Sequence, residues 1–470
     1  MPVSAARAAA FAILLRVETT DAYASELLHS SHMERLSPAD HGLVTEIVMG
    51  VLRWRRVLDE QIAAHVSQPL AKFDAEVLTS LRIGAYQLFF LDRIPVHAAI
   101  NESVELVKRA RKRSAAGMVN AVLRKMRPPA LETNGLGNSR SPFDSLPPVG
   151  RSGQALDSGN RFASESIPAA RDGSTLGAHP EWLVERWNRI YESEAAQKIC
   201  EYDQRAPGPV VRAKAALAEE LAREGVTLEP GKLLSNAYVV AHGDITRTRA
   251  FREGRVAIQD EGSQLVALLL GNGERILDCC AAPGGKTRIL AEENPNATVV
   301  AIDVHPHRAA LLKRLAPLPN VHVVATDARS MPFARGFDRI LVDAPCTGTG
   351  TLARNPEIKW RLKLEDIARL QAYQIQILSS AMKQLSPGGR LLYSTCSLEP
   401  EENEGVIEKA LERMGGFCVL DICGQLDTVR KEGALAWQDI GSLVRGAHLR
   451  TIPGIHPCDG FFAALLEREM

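Results

Sequence analysis

Two cysteines stand where a thiol can do chemistry. Cys346 lies in Asp343-Ala344-Pro345-Cys346-Thr347-Gly348 and Cys396 in Tyr393-Ser394-Thr395-Cys396-Ser397, each just past a short apolar run that reads as a buried strand. A lone cysteine is most often a small buried hydrophobe. Two of them in turn-like contexts at the ends of neighbouring strands instead face the cleft that opens there, where a thiolate is a nucleophile. Zinc does not suit them, because the chain has no C-x-x-C pair and no histidine cluster nearby. Cys200, Cys279, Cys280, Cys418, Cys423 and Cys458 read as structural, with Cys418 and Cys423 in a less ordered-looking stretch.

Upstream, Asp278-Cys279-Cys280-Ala281-Ala282-Pro283-Gly284-Gly285-Lys286-Thr287 follows another apolar run. Its small residues let a ligand approach the backbone, and the helix that follows presents free N–H groups. Gly285-Lys286-Thr287 suggests a P-loop, but that pattern requires glycine where Cys280 stands, which argues against nucleoside triphosphate hydrolysis. The next run ends at Asp303, suited to ribose hydroxyls, and the third leads to Asp327, for which a plain N-cap is the lesser alternative. Acids after successive strands fit a nucleoside cofactor. With a thiol and the Asp343 acid beside it, such a cleft suits one reaction class: a thiolate adds to C6 of a pyrimidine, the resulting enamine attacks an electrophilic methyl group from C5, and an acid at N3 offsets the developing charge.

The elements that must position these residues are legible as alternation. From Gly273 onward, Arg275 to Leu277, Thr298 to Ile302, Val321 to Val324, Arg339 to Val342 and Arg390 to Tyr393 are strand-like, and helical stretches separate most of them. This predicts a doubly wound α/β sheet with ligands at the carboxyl ends of its strands. The first 127 residues instead read as helical throughout, with apolar spacing in Leu78, Leu81, Ala85 and Leu88 and breaks at Ser37-Pro38 and Arg93-Ile94-Pro95. Pro128 to Ala178 is rich in Pro, Gly, Ser and Asn and reads as a flexible linker. Structure resumes at His179-Pro180-Glu181-Trp182. A small mixed segment follows, with strands at Pro209 to Val211, Ala237 to Val240 and Val256 to Ile258 and a helix over Ala215 to Glu224.

The 470 residues carry 56 basic and 56 acidic side chains, so no overall charge advertises a polyanion partner. Local patches must hold one. Lys108, Arg109, Arg111, Lys112 and Arg113, then Arg124, Lys125 and Arg127, form such a patch, readable as a solvated helix face or as a phosphate-binding one. Eight cysteines, two of them adjacent, suit free thiols in a reducing compartment. The apolar run Ala8 to Leu15 stops at Arg16 and Glu18, as in the first amphipathic helix of a soluble domain rather than a membrane span.

Phe337 through Gly348 resembles the signature of the Sun family of RNA cytosine-C5 methyltransferases, and Tyr393 through Ser397 followed by Pro400-Glu401-Glu402-Asn403 resembles its second cysteine motif. Asp278 through Thr287, Val256 through Gln264 and Asp459-Gly460-Phe461-Phe462 are similar to further segments of that family, so the likeness spans about residues 179 to 467. Arg93 through Glu102 resembles a NusB-type RNA-binding domain. One family element is missing: Val211-Arg212-Ala213-Lys214 lacks the asparagine of an Arg-x-Asn.

The resemblance implies a NusB-like bundle over 1–127, the linker 128–178, a small ancillary RNA-binding domain over 179–255 and a Rossmann-like catalytic domain over 256–470. It implies S-adenosylmethionine as cofactor, held by Cys280, Ala281, Ala282, Pro283, Gly284, Gly285, Lys286, Asp303, Asp327 and Asp343. Cys396 would be the nucleophile at cytosine C6, Cys346 would assist elimination, Asp343 would also meet the base, Lys286 would hold the catalytic loop and Lys359 would face RNA. A Pro-Cys nucleophile, as in DNA cytosine methyltransferases, would exchange the roles of the two thiols. The expected substrate is 16S rRNA, with tRNA or large-subunit rRNA as alternatives and a non-catalytic RNA-binding assembly factor as the competing class. A cytoplasmic monomer with neither metal nor membrane partner completes the expectation.

Overall fold

The computed structural model describes residues 3–30, 33–126 and 175–470. The linker expected over 128–178 therefore lies outside the described residues except for its end, where Thr175–Ala178 form a 3-10 turn and Ala178 is buried. The chain divides into two compact units. The first gathers the N-terminal helices, the chain up to Ala206 and the separate segment Leu352–Arg361; the second holds nearly all the rest.

In the first unit, helices span Ala5–Thr19, Ala24–Leu28, Pro38–Ala63, Ala75–Phe90, Val96–Arg109 and Ala116–Lys125. Ala6, Ala10, Ile13, Leu14 and Val17 line one face of the first, as its spacing predicts, and join a single core with Ile47, Val51, Leu58, Leu81 and Leu123. Each buried leucine, isoleucine or valine among them contributes about 1.5–3 kcal/mol. The break at Ser37-Pro38 is a helix start: Ser37 Oγ accepts from the Asp40 N–H at 3.1 Å, and Pro38 opens the first turn.

The helix Glu181–Asp203 also belongs to this unit, which differs from the expectation that it opens the ancillary domain. Its Leu183, Trp187, Ala196 and Ile199 are fully buried, and the Arg56 guanidinium donates to the His179 carbonyl at 2.9 Å. The segment Leu352–Arg361 is gripped just as firmly. Lys359 Nζ donates to the Arg53 carbonyl at 3.0 Å, Trp360 Nε1 to the Leu52 carbonyl at 2.6 Å, and the Ala24 N–H to Glu357 at 2.7 Å. Lys359 is 1% exposed, so the expectation that it faces RNA is corrected: its ammonium satisfies a buried carbonyl instead. Burial holds it down to about 7.

In the second unit, the small sheet orders Val210–Arg212, Ala237–His242 and Thr227–Pro230, all antiparallel, with Ala237–His242 central. The strand expected at Val256 to Ile258 is reduced to one antiparallel bridge between Val211 and Ile258, which follows the short helix Arg249–Arg252. Among the described residues, nine strands build the large sheet: β1 Arg275–Cys279, β2 Thr298–Asp303, β3 Val321–Ala325, β4 Phe337–Asp343, β5 Leu385–Thr395, β6 Phe417–Leu420, β7 Val444–Arg445, β8 His448–Arg450 and β9 Phe462–Arg468. Their order is β7-β8-β9-β5-β4-β1-β2-β3, with β6 on β9. From β3 to β5 the pairing is parallel, and β9 returns antiparallel against β5. The expected doubly wound Rossmann-like sheet is present, extended by an antiparallel edge.

Cys418 and Cys423 sit in regular structure, on β6 and in the helix Ile422–Lys431, and not in a disordered stretch. Among the described residues no helix is long and apolar enough to cross a membrane, and no group of three or more metal-ligating side chains forms.

Candidate active site

β1 and β4 lie at the centre of the parallel strands, and β5 follows β4, so the segments after them converge on one edge. After β1 the chain turns sharply. Cys280 takes φ 58°, the Ala281 N–H donates to the Ile302 carbonyl at 2.8 Å, and Gly284 at φ 116° leads into the helix Gly285–Glu293. A side chain at Gly284 would be strained by that φ and would meet Leu312 at 2.7 Å. Ala281, Ala282 and Pro283 complete a narrow cradle whose small residues and helix N-terminus suit a ligand lying against the backbone.

Asp278 closes the cradle from below and is fully buried. Its Oδ2 accepts from Thr287 Oγ1 at 2.6 Å, while Oδ1 has no protein hydrogen-bond partner. Burial pushes its carboxyl up to about 7 against the opposing pull of Thr287. Asp303, at the end of β2, is held by the His305 N–H at 2.9 Å, with the Arg308 guanidinium 3.8 Å away. Asp327 is neither a helix cap nor a free acid. Arg329 engages both its oxygens, at 3.1 Å and 2.6 Å, and its own N–H donates to Asp327 at 2.9 Å in a turn that no helix follows. The Arg329 side chain holds that carboxyl below its ordinary range.

Asp343 ends β4. Lys286 Nζ donates to its Oδ2 at 2.8 Å, and Ser394 Oγ, on β5, donates to its Oδ1 at 2.9 Å. Burial alone would lower the Lys286 ammonium, but the Asp343 charge and hydrogen bond, with Cys396 nearby, outweigh it and the net shift is upward. Lys286 also sits 5.3 Å from the centre of the Phe461 ring. Three residues beyond Asp343 and one beyond β5, the sulfurs of Cys346 and Cys396 are 3.4 Å apart. Cys346 is pushed well above a thiol's usual range by its hydrogen bond to Cys396, then by burial and by the Cys396 and Glu402 charges. Cys280 is raised by burial and by Asp343, Asp303 and Asp278, which leaves it a neutral wall of the cradle.

The two cysteine loops are locked together. The Gly350 N–H donates to the Cys396 carbonyl at 2.9 Å, and the Gly460 N–H to the Gly350 carbonyl at 2.8 Å. A Cβ on Gly350 would lie 2.3 Å from the Gly460 carbonyl oxygen. Thus Asp459-Gly460-Phe461-Phe462 acts as a clamp, with Phe462 entering β9.

The structure therefore brings Lys286, Asp343, Cys346 and Cys396 together, with Cys280 to Gly285 and Asp303 along the same sheet edge. Sequence reasoning assigned no role to Ser394, Phe461 or Glu402. For Glu402 a signal existed, an acid five residues past the Thr-Cys-Ser turn; for Ser394 and Phe461 it was only their place within family-like segments.

Comparison with known proteins shows what the chain is similar to. A family model described as 16S rRNA methyltransferase RsmB/F matches residues 265–467, and the NusB family model matches 4–128. A probable ribosomal RNA small subunit methyltransferase B of Bacillus subtilis is 33% identical, with all of both chains covered. A ribosomal RNA small subunit methyltransferase B of Vibrio cholerae is 32% identical over 98% of this chain and 97% of its own. Among solved structures, PH0851 superposes with TM-score 0.75 at 22% identity over 100% of both chains, a likeness of fold. A methyltransferase homologue of Pyrococcus horikoshii gives TM-score 0.51 at 27% identity over 63% of this chain and 97% of its own.

Proposed function

The chain belongs to the RsmB/F family of 16S rRNA methyltransferases, and from that premise we propose that it methylates C5 of a cytosine in 16S rRNA through a covalent cysteine adduct. The observation that carries the chemistry is the thiol pair beside a lysine-held carboxylate: Cys346 and Cys396 at 3.4 Å, with Asp343 bridging Lys286 and Ser394. The substrate is supported by the names of full-length relatives from two organisms.

S-adenosylmethionine, when bound, supplies an electrophilic methyl group. The residues present fit it: the small-residue turn Cys280 to Gly285 leaves room at a helix N-terminus, and Asp303 offers a carboxylate at the end of the neighbouring strand. A contact at Asp327 would share its oxygens with Arg329.

Cys396 Sγ attacks C6 of the base. The C5–C6 electron pair moves onto C5 and the ring, and the Asp343–Lys286 pair offsets the charge that develops at N3. C5 then takes the methyl group. Loss of the C5 proton and cleavage of the C6–Sγ bond return Cys396 as the leaving thiolate, and Cys346, once its own thiol proton has passed to solvent, assists this elimination by accepting the C5 proton. Before reaction Cys346 is a neutral thiol beside Cys396, which supports giving the attack to Cys396.

The exposed Lys108, Arg109, Arg111, Arg113, Arg124 and Lys125 give the helical unit a phosphate-binding face; Lys112 is half-buried against Asp74 at 3.0 Å, and Arg127 lies outside the described residues. A cytoplasmic monomer matches this reading, since its substrate is assembled there. Bisulfite sequencing of total RNA from a deletion strain tests it. One 16S cytosine losing protection, and regaining it on re-expression, is the expected result. Loss confined to tRNA or large-subunit rRNA refutes the substrate, and no change at any cytosine refutes the reaction.

A further inference from the structure

Glu402 is fully buried one turn beyond the Cys396 loop, in the 3-10 turn Pro400–Glu402. A buried carboxylate is costly without strong partners, and this one has several. Its Oε1 accepts from the Thr347 N–H at 3.0 Å and from Gln374 Nε2 at 2.9 Å. Its Oε2 accepts from Thr347 Oγ1 and from Ser397 Oγ, each at 2.5 Å. Thr347 and Ser397 are the residues immediately after Cys346 and Cys396, so one carboxylate grips both cysteine loops at the same step.

The grip is itself held. Tyr393 Oη donates to the Glu402 carbonyl at 2.6 Å, Asn403 Nδ2 donates to the Ser397 carbonyl at 2.9 Å, and Thr395 Oγ1 donates to Asn403 Oδ1 at 2.5 Å. Gln374 Nε2 donates also to the carbonyl of Pro345, just before Cys346. We propose that Glu402 is a positioning residue that sets the separation of the Cys346 and Cys396 sulfurs through Thr347 on one loop and Ser397 on the other. Its catalytic consequence rests on the reading of Cys396 as nucleophile and Cys346 as its partner in elimination; the geometry is measurable without RNA.

The test uses diamide on the full-length protein. Two S–H bonds are lost and one S–S bond forms between Cys346 and Cys396, while diamide takes up the two electrons and two protons and becomes its hydrazine. Peptide mapping follows this disulfide over time. In Glu402→Gln the carbonyl oxygen can still accept from Thr347 and Gln374, and the amide can donate to the two hydroxyls, which rotate to accept. That variant is expected to cross-link, and to methylate, within about threefold of the native rate.

Glu402→Ala leaves four donors without their acceptor and is expected to slow cross-linking and kcat by about tenfold or more. Its KM for S-adenosylmethionine stays within about twofold, because the cradle is untouched. If Glu402→Ala does not fold, Thr347→Val keeps the shape and the main-chain N–H bond to Glu402 but removes the hydroxyl contact, and is expected to slow cross-linking in the same sense by a smaller factor. Native cross-linking in Glu402→Ala or Thr347→Val overturns the proposal. So does a glutamine variant as slow as the alanine one, or a KM that rises in step with the fall in kcat. A native protein that cross-links as expected but methylates no RNA refutes the proposed reaction and leaves the positioning role supported.

Discussion

The sulfurs of Cys346 and Cys396 stand 3.4 Å apart at the carboxyl ends of two hydrogen-bonded parallel strands. Asp343 and Ser394 pair directly in that ladder, so the register that joins β4 to β5 also sets the acid opposite the serine that binds it. The chemistry is thus fixed by sheet pairing first and by loop contacts second.

The upward shift of Cys346 gives the release step a pH dependence. Its hydrogen bond to Cys396 is the first cause, so at neutral pH it is a thiol, and its thiolate fraction grows as pH rises toward its raised value. If Cys346 takes the C5 proton, breakdown of the methylated adduct should accelerate from pH 7 to pH 9, by up to about tenfold per unit. Single-turnover release measured across that range should show the rise in the native protein and a flat, slower profile in Cys346→Ala.

Lys286→Met removes the ammonium at 2.8 Å from Asp343 and leaves the carboxylate with Ser394. The loss of a charge-assisted bond predicts kcat lower by about tenfold to a hundredfold, with a smaller change in thermal stability. Steady-state methylation alongside a melting curve checks both.

Gly350→Ala places a methyl group 2.3 Å from the Gly460 carbonyl oxygen, backbone against backbone. Neither loop can yield without breaking the Gly460-to-Gly350 hydrogen bond, so the expected cost is about 1–3 kcal/mol, together with loss of activity. Denaturant unfolding of this variant should show the fall; the same change at Gly117, which has open space around it, should show none.

Lys359 predicts a pH dependence of stability in the first unit. Its folded value is about 7 against about 10.4 for a free lysine, so its contribution is whole above about pH 10.4 and is lost as pH falls toward 7. Lys359→Met should flatten that slope. Tryptophan fluorescence is the suitable probe, because Trp54, Trp182, Trp187 and Trp360 lie in this unit and only Trp437 in the other.

Much of the site was legible because strands of a parallel sheet are short apolar runs and their ends are where side chains meet ligands. Asp343, Cys346 and Cys396 followed from that rule, as did the turn at Cys280 to Lys286. What could not be read is what depends on distant pairing. Phe461 reaches Lys286 because β9 returns antiparallel beside β5, a topology no local pattern announces. Lys359 carries a charge within a polar stretch, which predicts exposure, yet its segment packs among helices more than three hundred residues earlier in the chain. Tertiary burial overrode the local signal there.

The assignment of the two thiols is tested most directly by trapping with RNA containing 5-fluorocytosine, whose C5 fluorine blocks the elimination that frees the enzyme. The account predicts a covalent protein–RNA complex that survives Cys346→Ala and vanishes in Cys396→Ala. A complex lost in Cys346→Ala and retained in Cys396→Ala would contradict it.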